Sequence, residues 1–534
     1  MPGRSTITAI WLVCAAALSA AGCTTGLREY VHNGFKVGPN YHRPPAPVAH
    51  EWIDSASPRL QIGPMEERAW WQVFEDPALD RLILIAHEQN ITLREAGFRI
   101  AQTQAQRAVA AGNLFPQSQE LFGDYTRSQR STQTATFPQG GGGLPPGLIV
   151  TNFSNWRLGG ALAWELDFWG RYRRAIESAD AVLDSEVENF DDALVLLISE
   201  VATAYVDYRT AEQQLAYARS NVTLQAESAR VAGERLRVGA ADANVDAPQA
   251  RSSLLRTQST IQPLEIQMRQ AQNRLAVLLG MPPHDLSYLL AGDGNIPEAP
   301  GTVALDVPAA LLRRRPDVRR AERLVAAQSA QIGIAEADLY PAISVNGSLA
   351  LEADTFERMF NSSAWSGSVG PGFRWNVLNY GRLVNLVRAQ EALLQQEIAR
   401  YQQTVLEANE EAENAIVGFQ LYHDQIALLK ESVAQAQEAV RVSTENYQGG
   451  RIDFNRLFVV EQFLVQQQDA LAIAQGNSAR SLIQLYRALG GGWEIRLHPL
   501  PPIDLPHPHG PPLPGPMLDP PLEPEVIPLP PLQP

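Results

Sequence analysis

Cysteine is nearly missing from this chain: two in 534 residues, Cys14 and Cys23. Cys14 lies inside an apolar run, Ile7 to Leu18, that follows Arg4 and leads into small residues, a pattern read as an export signal rather than a membrane span. Once residues 1–22 are removed, Cys23 is the only cysteine left, which excludes an internal disulfide. Concentrated basic charge is missing too. The net charge is −15 and no Lys/Arg stripe appears, so no nucleic-acid partner is expected. Nor is there a base beside a nucleophile, a pair of carboxylates in a cleft, or metal-ligand spacing; charges are spread along helix faces. His507 and His509 stand close together without a supporting ligand set. The glycines of FPQGGGGLPPG, Phe137 to Gly147, are not followed by Gly-Lys-Ser/Thr, so they read as an exposed loop and not a phosphate cradle. No enzyme activity, metal or cofactor is expected.

What the chain does contain is a repeat. WELDFWGR, from Trp164 to Arg171, returns as WNVLNYGR, from Trp375 to Arg382, and the shift of 211 carries Trp164 to Trp375, Gly170 to Gly381 and Arg171 to Arg382. The same shift carries GAADAN, with Gly239, Asp242 and Asn244, onto GRIDFN, with Gly450, Asp453 and Asn455. Between these marks a step of seven picks out only apolar residues, Val187, Leu194, Val201, Tyr208, Leu215, Val222, Ala229 and Leu236, and in the second copy Ile398, Val405, Ala412, Phe419, Ile426, Val433, Val440 and Tyr447. Two very long coiled-coil-like helices are expected, each roughly 100 Å at about 1.5 Å per residue. Length alone suggests two to four domains; helices of this reach make one elongated fold instead.

A second pair of marks, NLFP (Asn113 to Pro116) and DLYP (Asp338 to Pro341), precedes stretches of period two. Trp156, Leu158, Leu162, Trp164, Leu166 and Phe168 share one face, opposite Asn155, Arg157, Gly159, Glu165 and Asp167. In the second copy Ile343, Val345, Leu349 and Leu351, then Trp365, Val369, Phe373, Trp375 and Val377, alternate with polar residues. The first strand after Pro116 alternates poorly. Such faces suit half a soluble sandwich or a membrane barrel, and export with flanking Trp favours the barrel. Each Trp-to-Gly-Arg mark is expected to close a hairpin (about 116–168 and 341–378) and start a long helix, with Gly permitting the turn.

LSAAGC resembles a bacterial lipoprotein signal, with Ala20 where Leu, Val or Ile is usual, and implies lipidation of Cys23. VGPNYHRP (Val37 to Pro44), WWQVFEDPALDRLI (Trp70 to Ile83), NRLAVLLGMPP (Asn273 to Pro283), RRRPDVRRAE (Arg313 to Glu322), ADLYP and LYRALGGGWE (Leu485 to Glu494) together resemble the TolC-like outer-membrane efflux channels, in the lipoprotein subgroup serving resistance-nodulation-division pumps. The resemblance covers roughly residues 37 to 495. It implies a mainly α fold with a membrane β-barrel: two structural repeats, 69–280 and 313–495, each with a hairpin, a long helix, a tip turn (about 239–246 and 449–455) and a return helix. An extended N-terminal segment (23–68), a joint (281–312) and a proline-rich tail (496–534) complete the chain. Four strands cannot close a useful barrel, and the resemblance implies a homotrimer with twelve strands and a periplasmic α-barrel.

The implied function is a passive duct in the outer-membrane lipid, carrying small solutes from an inner-membrane pump and its periplasmic adaptor. The tip turns would dock the adaptor and form the gate, where relatives often hold acidic residues and this chain has Arg456 and Val459. A duct for ABC-driven protein secretion, a non-conducting envelope tether and an envelope enzyme are the competing readings.

Overall fold

The computed structural model describes residues 25–63, 68–129, 131, 152–239, 243–292 and 294–498. Cys23, the Phe137–Gly147 loop, Asp242, His507 and His509 lie outside them. In chain order the elements are α1 (Leu27–His32), β1 (Leu60–Ile62), α2 (Pro77–Gln89), α3 (Ile91–Gly112), β2 (Ser118–Gln129), β3 (Asn152–Leu166), α4 (Arg171–Arg237), α5 (Ala243–Ser259), α6 (Ile261–Leu278), β4 (Val303–Leu305), α7 (Leu311–Arg314), α8 (Pro316–Ala337), β5 (Ala342–Ala353), β6 (Trp365–Arg374), α9 (Arg382–Gln448) and α10 (Phe454–Ala488).

The two long helices, α4 and α9, are 67 residues each, and both ends are related by the shift of 211. The apolar step of seven stays buried or half-buried along α9, but on α4 it drifts off the packed face: Leu194 and Val201 are buried and Leu236 is 40% exposed. Seven residues fall about 20° short of two turns of a straight helix. By the inner end of α4 the buried positions are accordingly Ala218, Asn221, Gln225, Ser228 and Ala232.

One sheet joins the repeats, in the order β2-β3-β5-β6, with every neighbour antiparallel. Its register places Leu121, Leu158, Leu162, Trp164, Leu349, Leu351, Trp365, Val369 and Phe373 on one face. Glu120, Asp124, Arg157, Glu165, Ser344, Asn346, Ser348, Glu352 and Ser368 share the other, where Arg157 pairs with Glu352 at 3.1 Å. Strand β2 alternates poorly because Phe122 lies on this polar face, under the Arg157 guanidinium.

Four expectations need correction. First, the strands stop at Leu166 and Arg374, short of Phe168 and Val377. Asp167 belongs to the helix start instead: its carboxylate accepts the Tyr172 and Arg173 amides at 2.9 and 3.1 Å. Second, the return helix of the first repeat is two helices, broken at Thr260. Pro263 explains the break, because its ring collides with the carbonyl four residues back, that of Ser259. Third, the N-terminal segment is not merely extended: it carries α1, and β1 pairs in parallel with β4 of the joint. Fourth, Asn244 and Asn455 sit in the first turns of α5 and α10 rather than in the tip turns.

Helix α8 ties the repeats together through the RRRPDVRRAE run. Arg315 donates to the Ala488 carbonyl at 2.8 Å and reaches Glu411 and Asp317. Arg319 pairs with Glu188 and Asp191 of α4, and Arg496 holds the same buried Asp191 at 2.6 Å. Two guanidinium groups thus meet one buried carboxylate inside the fold.

Candidate functional site

Two places stand out, the junctions where strands become long helices and the turns at the far helix ends. At the junctions, Gly170 and Gly381 precede α4 and α9 with φ of +81° and +78°, a backbone that favours glycine. The Trp164 indole donates to the Leu114 carbonyl at 3.2 Å, and Trp375 donates to the Leu339 carbonyl at 2.9 Å. Each tryptophan therefore locks its hairpin to the NLFP or DLYP turn of its own repeat. In the sequence these tryptophans count only as residues flanking the strands, although the paired NLFP and DLYP marks carry the signal for this bond.

The junctions differ in their surroundings. The first lies under the N-terminal segment: the Val37 amide donates to the Trp169 carbonyl at 3.0 Å, Arg174 holds the Val37 and Gly38 carbonyls, and a Cβ on Gly170 would stand 2.5 Å from Lys36 Cγ. Arg171 reaches Glu165 and Asp338 at 3.6 and 3.5 Å. The second is bare, with Arg382 exposed and Tyr380 98% exposed at φ +52°.

At the inner end, Gly239 and Gly450 adopt φ of +79° and +68°. Around Gly450 the helix closes as a Schellman motif: its amide donates to the Tyr447 carbonyl at 3.0 Å, and the Arg451 amide to the Asn446 carbonyl at 2.8 Å. Asp453 then caps α10, its carboxylate accepting the Arg456 amide at 3.0 Å. Beneath the turns Ala232, Ala250, Tyr447, Phe454 and Leu457 form a small core drawn from α4, α5, α9 and α10.

The helices that flank the two turns are tied across the repeats. Gln249 donates to Asn455 at 3.4 Å, and the Tyr447 hydroxyl donates to Asp246 at the same distance. Arg235 stacks 4.8 Å over the Tyr447 ring. Burial, and then the Asp246 charge, push the Tyr447 hydroxyl up to about 12, so it remains a donor. Arg456 and Val459 are exposed just past the cap, and among the described residues Arg456 has no ion pair. Val238 and Val245, on either side of the first turn, are exposed as well. Among the described residues no group of His, Cys, Asp and Glu could hold a metal ion.

A sheet with one apolar and one polar face, feeding two matched helices of about 100 Å that end in capped turns, defines a protomer of the TolC-like outer-membrane channels. Comparison with known proteins agrees. Residues 82–281 and 307–491 match the outer membrane efflux protein family. Nodulation protein T of Rhizobium leguminosarum bv. trifolii is 30% identical over 470 residues, covering 88% of this chain and 97% of the relative. The pyoverdine export outer membrane protein OpmQ of Pseudomonas putida is 29% identical, covering 83% and 92%. The solved outer-membrane channel OprN superposes with a TM-score of 0.77 at 31% identity, covering 86% of this chain and 99% of its own. The chain belongs to the outer membrane efflux protein family, and its place is the outer membrane.

Proposed function

We propose that three copies of this chain close a twelve-stranded barrel and a periplasmic α-barrel around one pore, through which small solutes leave without any catalytic step in this protein. The observation that carries this reading is the register of the sheet: it gathers polar and small residues on one face and large apolar ones on the other, as a water-filled barrel in lipid requires. Among the described residues, strands β2 and β6 each have one free edge, and a closed ring of copies removes both. Exposed apolar residues on α9 (Leu386, Leu393, Leu421, Leu428) and on α3 and α6 (Ile91, Phe98, Ile266, Val277) supply the two sides of a head-to-tail contact.

An inner-membrane pump of the resistance-nodulation-division type and a periplasmic adaptor are the partners this reading needs. They would meet the turns around Gly239 and Gly450, with Arg456 and Val459 at the gate. Lipidation of Cys23 fits the same arrangement, because Thr25, two residues on, is held at the base of the sheet by Glu336 at 2.5 Å. In planar bilayers the purified protein should conduct ions as a trimer, and Arg456→Ala should raise its conductance. A protein that inserts and never conducts is a tether and not a duct.

A further inference from the structure

Helix α10 has two seams of opposite character. Toward α9, its Leu464 and Leu471 pack with Val433, Ala436 and Val440. Toward α4 the middle of the seam is polar, flanked by apolar contacts from Leu224 and, nearer the turn, from Ala232 against Leu457. Asn221 donates to Gln468 at 2.7 Å and Ser228 donates to Glu461 at 2.6 Å, all four side chains being buried. A step of seven on each helix, 221 to 228 and 468 to 461, keeps one antiparallel register, and Gln225 falls between the two pairs. Gln225 is buried with neither its amide nitrogen nor its oxygen bonded, and Glu461 Oε2 has no partner either. On the α5 side the polar contact continues, with Gln462 donating to Ser253 at 3.2 Å.

A carboxylate in such a seam has lost water and gained no cation, which favours its neutral form. Burial pushes the Glu461 carboxyl up to about 7, opposed by the Ser228 hydroxyl alone. Several charged groups on the surrounding elements are engaged elsewhere, and Arg251 and Arg256 of α5 are exposed to solvent. On α4, Glu227 pairs with Arg230 and Arg235 stacks on Tyr447. On α9, Arg441 pairs with Glu438 and Glu445. On α5, Asp246 accepts from Tyr447. Next to Glu461, α4 presents Ser228 and buried Gln225, α5 meets neighbouring Gln462 with Ser253, and α9 meets Leu464, one turn away, with Ala436 and Val440.

We propose that Glu461 is a proton-controlled latch on the inner end of the channel. Protonated, it remains in the seam and keeps α10 on α4. When it releases its proton to solvent, the carboxylate draws water to itself and to Gln225, and the α9–α10 pair, held by its apolar seam, parts from the first repeat as a unit. The latch rests on the reading of the inner end as the gate. In the parted form the carboxyl is solvated and titrates near the ordinary value of about 4.3. The ratio of parted to closed therefore rises about tenfold per pH unit from there to about 7, then levels.

Hydrogen exchange of the full-length trimer between pH 5 and 8, corrected for the intrinsic rate, reads the seam directly, and bilayer conductance reads the gate. Exchange in residues 457–470 and 221–232, and the frequency of openings, should rise to about pH 7 and then flatten. Glu461→Gln should hold both at the low-pH level throughout. Ser228→Ala removes a bond that favours the ionised form, so its rise should continue to a higher pH. A wild-type profile flat with pH, a Glu461→Gln protein that keeps the rise, or a Ser228→Ala profile unmoved or shifted downward overturns the latch. Zero conductance at every pH with exchange still responding would instead defeat the duct reading and leave the latch standing.

Discussion

Helices α4 and α9 have the same length and the same kind of start, and they live in different environments. Helix α4 is the axis of the protomer, packed by α2, α3, α5, α6, α8 and α10, and it buries charged residues such as Arg174, Asp191 and Arg209 along the way. Helix α9 packs chiefly on α10 and α8, and leaves Leu421 and Leu428 63% and 74% exposed. A duplicated unit has thus been divided between two tasks. One copy holds the chain together, and the other leaves open the apolar stripe that the proposed trimer would cover.

The sharpest way to break this comparison is to charge the open stripe. Leu421→Asp with Leu428→Asp should abolish trimers in native mass measurements while leaving the protomer's helix content intact; unchanged trimers would mean the stripe faces nothing. Next comes the enclosed helix. Leu194 is fully buried, so Leu194→Ala should destabilise the protomer by about 2–5 kcal/mol in denaturant unfolding, whereas Leu428→Ala should leave protomer stability within about 0.5 kcal/mol. The junction glycines give a smaller contrast. Alanine at either must hold a left-handed backbone, at roughly 1–2 kcal/mol, but only Gly170→Ala also displaces Lys36. Gly170→Ala should therefore lower Tm more than Gly381→Ala and expose the N-terminal segment to protease. Smallest is Asp453→Ala, which removes one cap at about 1 kcal/mol and should raise exchange only in the first turn of α10.

Much of this architecture could be read before any coordinates. The shift of 211 located both long helices, and the glycines before Arg171 and Arg382 marked their starts, because a left-handed residue at a strand-to-helix turn leaves a strong local signal. What escaped reading depended on distant pairing. Leu60–Ile62 and Val303–Leu305 form strands only because they meet, and three residues carry no periodicity. The polar seam of Asn221, Gln225 and Ser228 was hidden by the apolar step of seven, which runs along a different stripe of α4 once the drift accumulates. Pro263 was a legible break signal that went unused. The repeat marked Gly239, Gly450 and Asp453 at the helix ends, but the ties of Tyr447 to Asp246 and of Gln249 to Asn455 join positions some 200 apart and required the fold.

Equal helix length has a mechanical consequence. With 67 residues in each arm, helices that start level finish level, so the proposed trimer would present six near-equivalent ends in one plane. Losing two helical turns from one arm alone would stagger alternate ends by roughly 10 Å. A ring of six would become two rings of three, and a partner built to grip six teeth would find only every second one within reach. In the proposed trimer the matched arms would act as a gauge as well as a wall, and any change in the span they bridge would have to be written into both repeats at once.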